Sequence, residues 1–186
     1  MSAIPRFIAD AMLGHVARWL RLLGYDTLYY KSINDWKLLK IAKEEDRILL
    51  TRDLGLFRRA RRYGIRALFI EDPSIEKVLA FISVKYSISL EFNKDNTLCP
   101  ECNTRLKYTT SITEISVKVN KDIALKYREF WICPSCSKIY WQGNHWRTIS
   151  SVLEEARQEK LKILSKIKPL ERKIPSEGAS HSEHLQ

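Results

Sequence analysis

Arg47-Ile-Leu-Leu-Thr-Arg-Asp53 is an apolar run that stops on an acid. A short basic stretch, Gly55–Tyr63, follows and is ended by Gly64. A second apolar run, Ala67–Ile70, then stops on Glu71-Asp72-Pro73. Strand, helix, glycine stop and strand are the units of a parallel sheet with crossover helices. An acid just past each strand puts chemistry on the edge where such sheets bind their ligands.

The same unit recurs upstream. Arg6–Ala9 is a short apolar run ending at Asp10, and the spacing of Met12, Val16, Leu20 and Leu23 predicts a helix stopped by Gly24. Thr27–Tyr30 reads as a strand and Asn34–Asp46 as a helix, with Leu38, Leu39 and Ala42 inward and Asn34 or Asp35 as its cap. Downstream, Ser74 caps a helix running to about Tyr86 that buries Ile75, Val78, Leu79 and Ile82. The order βαβαβαβα predicts an α/β domain over residues 1–94, with right-handed crossovers and helices on both faces of the sheet.

From Asp95 to about residue 147 the pattern changes to short β-rich segments, with Thr113–Val119 alternating as a strand does. Residues 148–168 read as a polar C-terminal helix with Ile149, Val152, Leu153 and Ala156 on one side. The stretch 169–186 has nothing to bury and is expected to be a disordered tail.

The second segment holds all four cysteines, as Cys99-Pro-Glu-Cys102 and Cys133-Pro-Ser-Cys136, separated by 30 residues. Two such knuckles can bring four thiolates to a tetrahedron around Zn²⁺, and so small a module gains much of its stability from a metal. The competing readings are two disulfides, disfavoured in a reducing compartment, and a redox centre, which needs only one pair. Four thiolates close the shell, so this zinc is structural. Lys107, Tyr108, Lys126, Tyr127, Arg128, Phe130 and Trp131, with Lys138, Tyr140, Trp141, His145 and Trp146, form a basic and aromatic surrounding. Such a mixture stacks bases and contacts phosphates, or the aromatics serve as the module's own small core.

Asp10, Asp35, Asp53 and Asp72 can all reach one edge of the sheet. Crowded carboxylates repel, so a balancing charge is expected, and hard oxygen ligands suit Mg²⁺ or Mn²⁺. Asp35 has a second role open to it as a helix cap, and Asp72 as a turn former before Pro73. Arg18, Arg21, Arg52, Arg58, Arg59, Arg61 and Arg62 lie around these acids, as expected for a held phosphodiester. The same arginines could instead pair with the aspartates.

The 186 residues carry a formal net charge of +10 and a pI near 9.5. Residues 1–98 hold 17 Lys and Arg against 12 Asp and Glu, and residues 99–150 hold 8 against 4, so both folded parts are basic and a nucleic-acid partner is indicated. With no apolar leader and no membrane span in the sequence, a cytoplasmic protein is expected.

Three stretches carry a resemblance: Phe7-Ile-Ala-Asp10-Ala-Met-Leu-Gly-His-Val-Ala-Arg18 continuing to Asp26, then Arg47 to Asp53, then Cys133 to Trp146. The chain resembles, over about residues 5–147, the PIN-like RNase domain fused to a zinc ribbon, the Mut-seven C-terminal RNase family. The resemblance implies a three-layer α/β/α nuclease whose acidic rim holds Mg²⁺ or Mn²⁺. Asp10 matches its first acid, Asp35 the acid opening the second helix, and Asp53 the acid of a Thr-Arg-Asp motif, while Glu71 and Asp72 compete for the fourth position. The expected function is metal-dependent cleavage of single-stranded or structured RNA, with the zinc ribbon aiding binding. The alternative is a non-catalytic RNA-binding adaptor of the ribosome or another RNA–protein complex. A phosphoacceptor receiver domain also displays aspartates on this edge, but it needs a lysine ending a fifth strand, and no such pattern is present.

Overall fold

The computed structural model describes residues 4–171. Four strands, β1 (Phe7–Ala9), β2 (Thr27–Tyr29), β3 (Ile48–Thr51) and β4 (Ala67–Phe69), form one parallel sheet in the order β2-β1-β3-β4. Phe7 lies beside Thr27 and Ile48, and Leu50 beside Leu68. The connecting helices are α1 (Gly14–Leu22), α2 (Asp35–Glu44), α3 (Leu54–Arg62) and α4 (Ile75–Tyr86).

Alternation along the central strands builds two cores. Phe7, Ala9, Ile48 and Leu50 face α1 and α4, whereas Ile8 and Leu49 face α2 and α3. Both faces are covered, which is why β1 and β3 read as unbroken apolar runs. Gly24 and Gly64 stop α1 and α3 with φ of 88° and 71°, the left-handed conformation their missing Cβ permits.

One inward residue was misplaced by periodicity. A 3-10 turn at Ala11–Leu13 precedes α1, and it rotates Met12 out to solvent while Leu13 enters the core. The turn exists because the Asp10 carboxylate caps it, accepting the Met12 N–H at 2.9 Å.

The second segment folds as an antiparallel sheet, β5 (Lys107–Thr109), β6 (Phe130–Ile132) and β7 (Ile139–Trp141), in that order. Between β5 and β6 lie two short helices, α5 (Ile112–Ser116) and α6 (Lys121–Lys126). The strand expected over Thr113–Val119 is therefore mostly helical. Ser111 caps α5 through the Glu114 N–H, and Ile115 and Val119, four residues apart, pack inward while Val117 between them is 82% exposed. A period of four picks out Ile115 and Val119 and leaves out the Val117 that a period of two includes.

The last helix, α7 (His145–Glu171), starts a few residues earlier than the sequence suggests. It packs along α4, with Leu153 and Ala156 buried in the larger core and Ile149 and Val152 against it. Its apolar stripe makes it a layer of the α/β domain. Most of the expected tail, residues 172–186, lies outside the described residues.

Candidate active site and cysteine cluster

β1 and β3 are neighbours whose following helices go to opposite faces, so a crevice opens between their carboxyl ends. Asp10 leaves β1 there, only 6% exposed. One carboxylate oxygen accepts the Met12 N–H; the other accepts the Thr51 hydroxyl and, at 2.9 Å, the Arg52 N–H. Thr51 ends β3, and its hydroxyl oxygen also accepts the Asp53 N–H at 2.9 Å. Asp53 in turn caps α3, taking the Leu56 N–H at 2.8 Å. The two acids are thus joined through Thr51, and among the described residues every donor to them is uncharged.

The other two acids are engaged differently. Asp35, the first residue of α2, is ion-paired with Arg59 of α3. Asp72, beyond β4, accepts the Ser74 N–H at 2.9 Å and pairs with Lys77 at 3.2 Å. The Ser74 N–H, with help from Lys77, holds its carboxyl below the usual range. Glu71 is exposed, and its backbone carbonyl accepts from the Arg52 guanidinium at 3.4 Å. Among the described residues, the four cysteines are the only group of three or more Cys, His, Asp or Glu side chains close enough to share one ion. The four aspartates share an edge without forming one shell. Two carboxylates still suit Mg²⁺, which commonly takes one or two from protein and the rest from water and phosphate.

Two residues near this seam were overlooked in the sequence. Thr51 is the bridge, and its place inside Thr51-Arg52-Asp53 was the available signal. His15, on the first turn of α1, is held below its ordinary pKa by partial burial and then by the nearby Arg52 charge. Among the arginines, Arg58, Arg61 and Arg62 are exposed, and Arg18 pairs with Glu101 at 3.2 Å. Arg21 is a correction. It is 4% exposed and donates to the carbonyls of Thr27, Pro100 and Glu101, so it is an internal tie and unavailable to phosphate.

The four cysteines are free thiols whose sulfurs lie within 4.8 Å of one another. Cys102 and Cys133 are 3.3 Å apart, Cys99 and Cys136 3.6 Å. Four sulfurs at about 2.3 Å from one tetrahedral ion stand roughly 3.8 Å apart, so the set fits Zn²⁺. Burial pushes the Cys133 thiol up to about 12. Burial also raises Cys102, but hydrogen bonding with Thr104 outweighs it and brings that thiol down to about 6. A cation at the centre would remove this resistance and deprotonate all four.

A family model described as the Mut7-C RNAse domain matches residues 5–153. The chain belongs to the Mut7-C RNAse domain family. Comparison with curated proteins found no match, and comparison with solved structures found none either. The matched span covers both sheets, the carboxylate seam, the cysteine cluster and the start of α7.

Within this Mut7-C domain the cysteine cluster lies at the opposite edge of the parallel sheet from the seam. Asn103, just after Cys102, accepts the Thr27 N–H at 3.0 Å and donates to Asp26, both at the start of β2. Asp26 receives a two-pronged pair from Arg47, at the start of β3, at 2.8 and 2.9 Å. Glu45 also binds Arg47, at 2.8 Å, so it belongs to this lower edge. Of the aromatic residues around the cluster, Phe130 and Trp131 are buried core. Trp19, Trp131, Tyr140, Trp141 and Trp146 line a cavity of about 770 Å³ between α1, the small sheet and α7, with Arg18 on its wall.

Proposed function

We propose that this Mut7-C chain is a PIN-type, metal-dependent ribonuclease whose reacting phosphate sits at the Asp10–Asp53 seam. What supports the reading is a difference in pairing: Asp35 and Asp72 have basic partners, whereas Asp10 and Asp53 have none among the described residues. Their negative charge is left for an incoming cation. Asp10 and Asp53 would hold Mg²⁺ or Mn²⁺, which when bound activates water and offsets the charge growing on the phosphate.

The protein's own contribution is position and charge. Three donors fix the Asp10 carboxylate, so little reorientation is needed when substrate arrives. The α3 N-terminus lies beside Asp53 and favours negative charge there. Arg52, next to the seam, is placed to take a non-bridging phosphate oxygen through its planar fork. The cysteine cluster is assigned to structural Zn²⁺, with all four positions filled by thiolate. Reduced thiols and this metal fit a cytoplasmic location.

Asp53→Asn is the cleaner test, because Asp53 uses one oxygen for its cap and Asn retains that acceptor. Cleavage of labelled single-stranded RNA in Mg²⁺ or Mn²⁺ should fall roughly 100-fold or more, with melting unchanged. Cleavage at the native rate, or equal cleavage in EDTA, refutes the assignment. The Asp35–Arg59 and Asp72–Lys77 pairs favour a second reading, a non-catalytic RNA adaptor, in which RNA is bound without any metal-dependent cutting.

A further inference from the structure

α2 and α3 follow parallel strands on one face of the sheet, so both start at the carboxylate edge and run toward the opposite one. The groove between them has a volume of about 340 Å³ and is lined by Trp36, Lys40, Lys43, Arg59 and Tyr63, among others. Trp36 is the second residue of α2 and Tyr63 caps the far end of α3, so an aromatic ring stands toward each end. Trp36 is 65% exposed and Tyr63 57%, so neither ring is explained by the core.

Both helices present mainly positive charge, with Asp35 and Glu44 the acids of α2. Lys37, Lys40, Lys43, Arg58, Arg59 and Arg62 are all exposed. Lys40 meets Glu44 at 3.7 Å across water-exposed side chains, a weak tie, and Lys43 has no ion pair among the described residues. Arg59 links the groove to the rim through Asp35. Flat rings set among fixed cations are complementary to unpaired bases on a polyanionic backbone. A duplex hides its base faces and offers neither ring a partner.

The geometry points to this groove as a track for single-stranded RNA adjoining the carboxylate seam, with a base stacked on Trp36, another on Tyr63, and phosphates on Lys40, Lys43 and Arg59. The inference rests on RNA being the substrate, as proposed above. From Trp36 to Lys43 the helix rises roughly 10 Å. The track therefore holds a short length of strand and sets where the chain is cut relative to its bound end.

The test uses the full chain and a fluorescent oligouridine in EDTA, so that binding is read without cleavage. Trp36→Ala and Tyr63→Ala should each weaken binding roughly tenfold, Trp36→Phe much less, with melting temperatures unchanged because both rings are exposed. Lys40→Ala with Lys43→Ala should flatten the log K against log salt slope by about 1.4, two phosphates at about 0.7 each. The wild type should prefer the single strand to a duplex of equal length. Native affinity in the Trp36→Ala/Tyr63→Ala double variant overturns the track in favour of a protein-facing surface. Equal affinity for duplex overturns stacking and the track with it. A wild type that binds no RNA removes both this inference and the proposed substrate. Weakened binding in the aromatic variants alongside undiminished cutting by Asp53→Asn supports the track and refutes only the acid assignment.

Discussion

The two edges of the parallel sheet use the same kinds of residue to opposite ends. At the lower edge Asp26 and Glu45 are both paired with Arg47, and Arg21 gives its donors to backbone carbonyls. At the upper edge, among the described residues, Asp10 and Asp53 are bound only by backbone N–H groups and a hydroxyl. Uncharged donors orient a carboxylate without cancelling its charge, whereas an arginine does both. The contrast separates an edge built for holding the chain from one whose carboxylates keep their charge uncancelled.

The largest expected effect is on the side that holds. Cys133→Ser should abolish binding of about one Zn²⁺ per chain, since structural zinc contributes on the order of 10 kcal/mol in small metal modules. Metal content after dialysis and hydrogen exchange over β5–β7 would show the small sheet losing protection while β1 and β3 keep theirs. Unchanged zinc removes the four-thiolate site.

Arg47→Met should come next, at about 3 kcal/mol, because it removes a buried guanidinium that serves the part-exposed Asp26 and Glu45 carboxylates and the Phe7 carbonyl. Asp10→Asn should cost less, about 1–2 kcal/mol, as its amide nitrogen must face a donor that the carboxylate accepted. Its activity loss should nevertheless be far greater than that of Arg47→Met assayed below its melting point. Urea melts beside cleavage assays would reveal the reverse ordering, which would dissolve the distinction between the edges.

The smallest effect concerns acid. Burial raises the Asp26 carboxyl, but the hydrogen bonds of Arg47 and Asn103 and the Arg47 charge outweigh it and hold the group below the usual carboxylate range. A depressed carboxyl gives stability that is present above its unfolded pKa of about 3.9 and is lost as pH falls through the lower folded value. Asp26→Asn should therefore be less stable near neutrality and show a shallower decline below about pH 4. Parallel acid limbs in urea midpoints would mean that Asp26 is not linked to folding.

Much of this was legible in the sequence because period and punctuation are local. Four parallel strands, the stops at Gly24 and Gly64, the Ser74 cap and the cysteine pairs all follow from neighbouring residues. What escaped depends on partners distant in sequence. Nothing near Arg21 announces Pro100, and nothing near Asp35 announces Arg59, so charged residues could be placed on an edge without learning which were already satisfied. Met12 and Val117 failed for a different reason: the Asp10 cap starts a 3-10 turn that shifts the helical phase, and the Ser111 cap starts a helix where alternation suggested a strand.

Arg21 also bears on how the chain is made. Its carbonyl partners at Pro100 and Glu101 leave the ribosome about 80 residues later than it does, and Leu153 and Ala156 of the core later still. Until then a nascent α/β unit carries a guanidinium lacking two of its three carbonyl acceptors and an uncovered apolar face on α4. The order of synthesis thus runs against the order of closure, and apolar surface on the emerging chain stays open until α7 arrives.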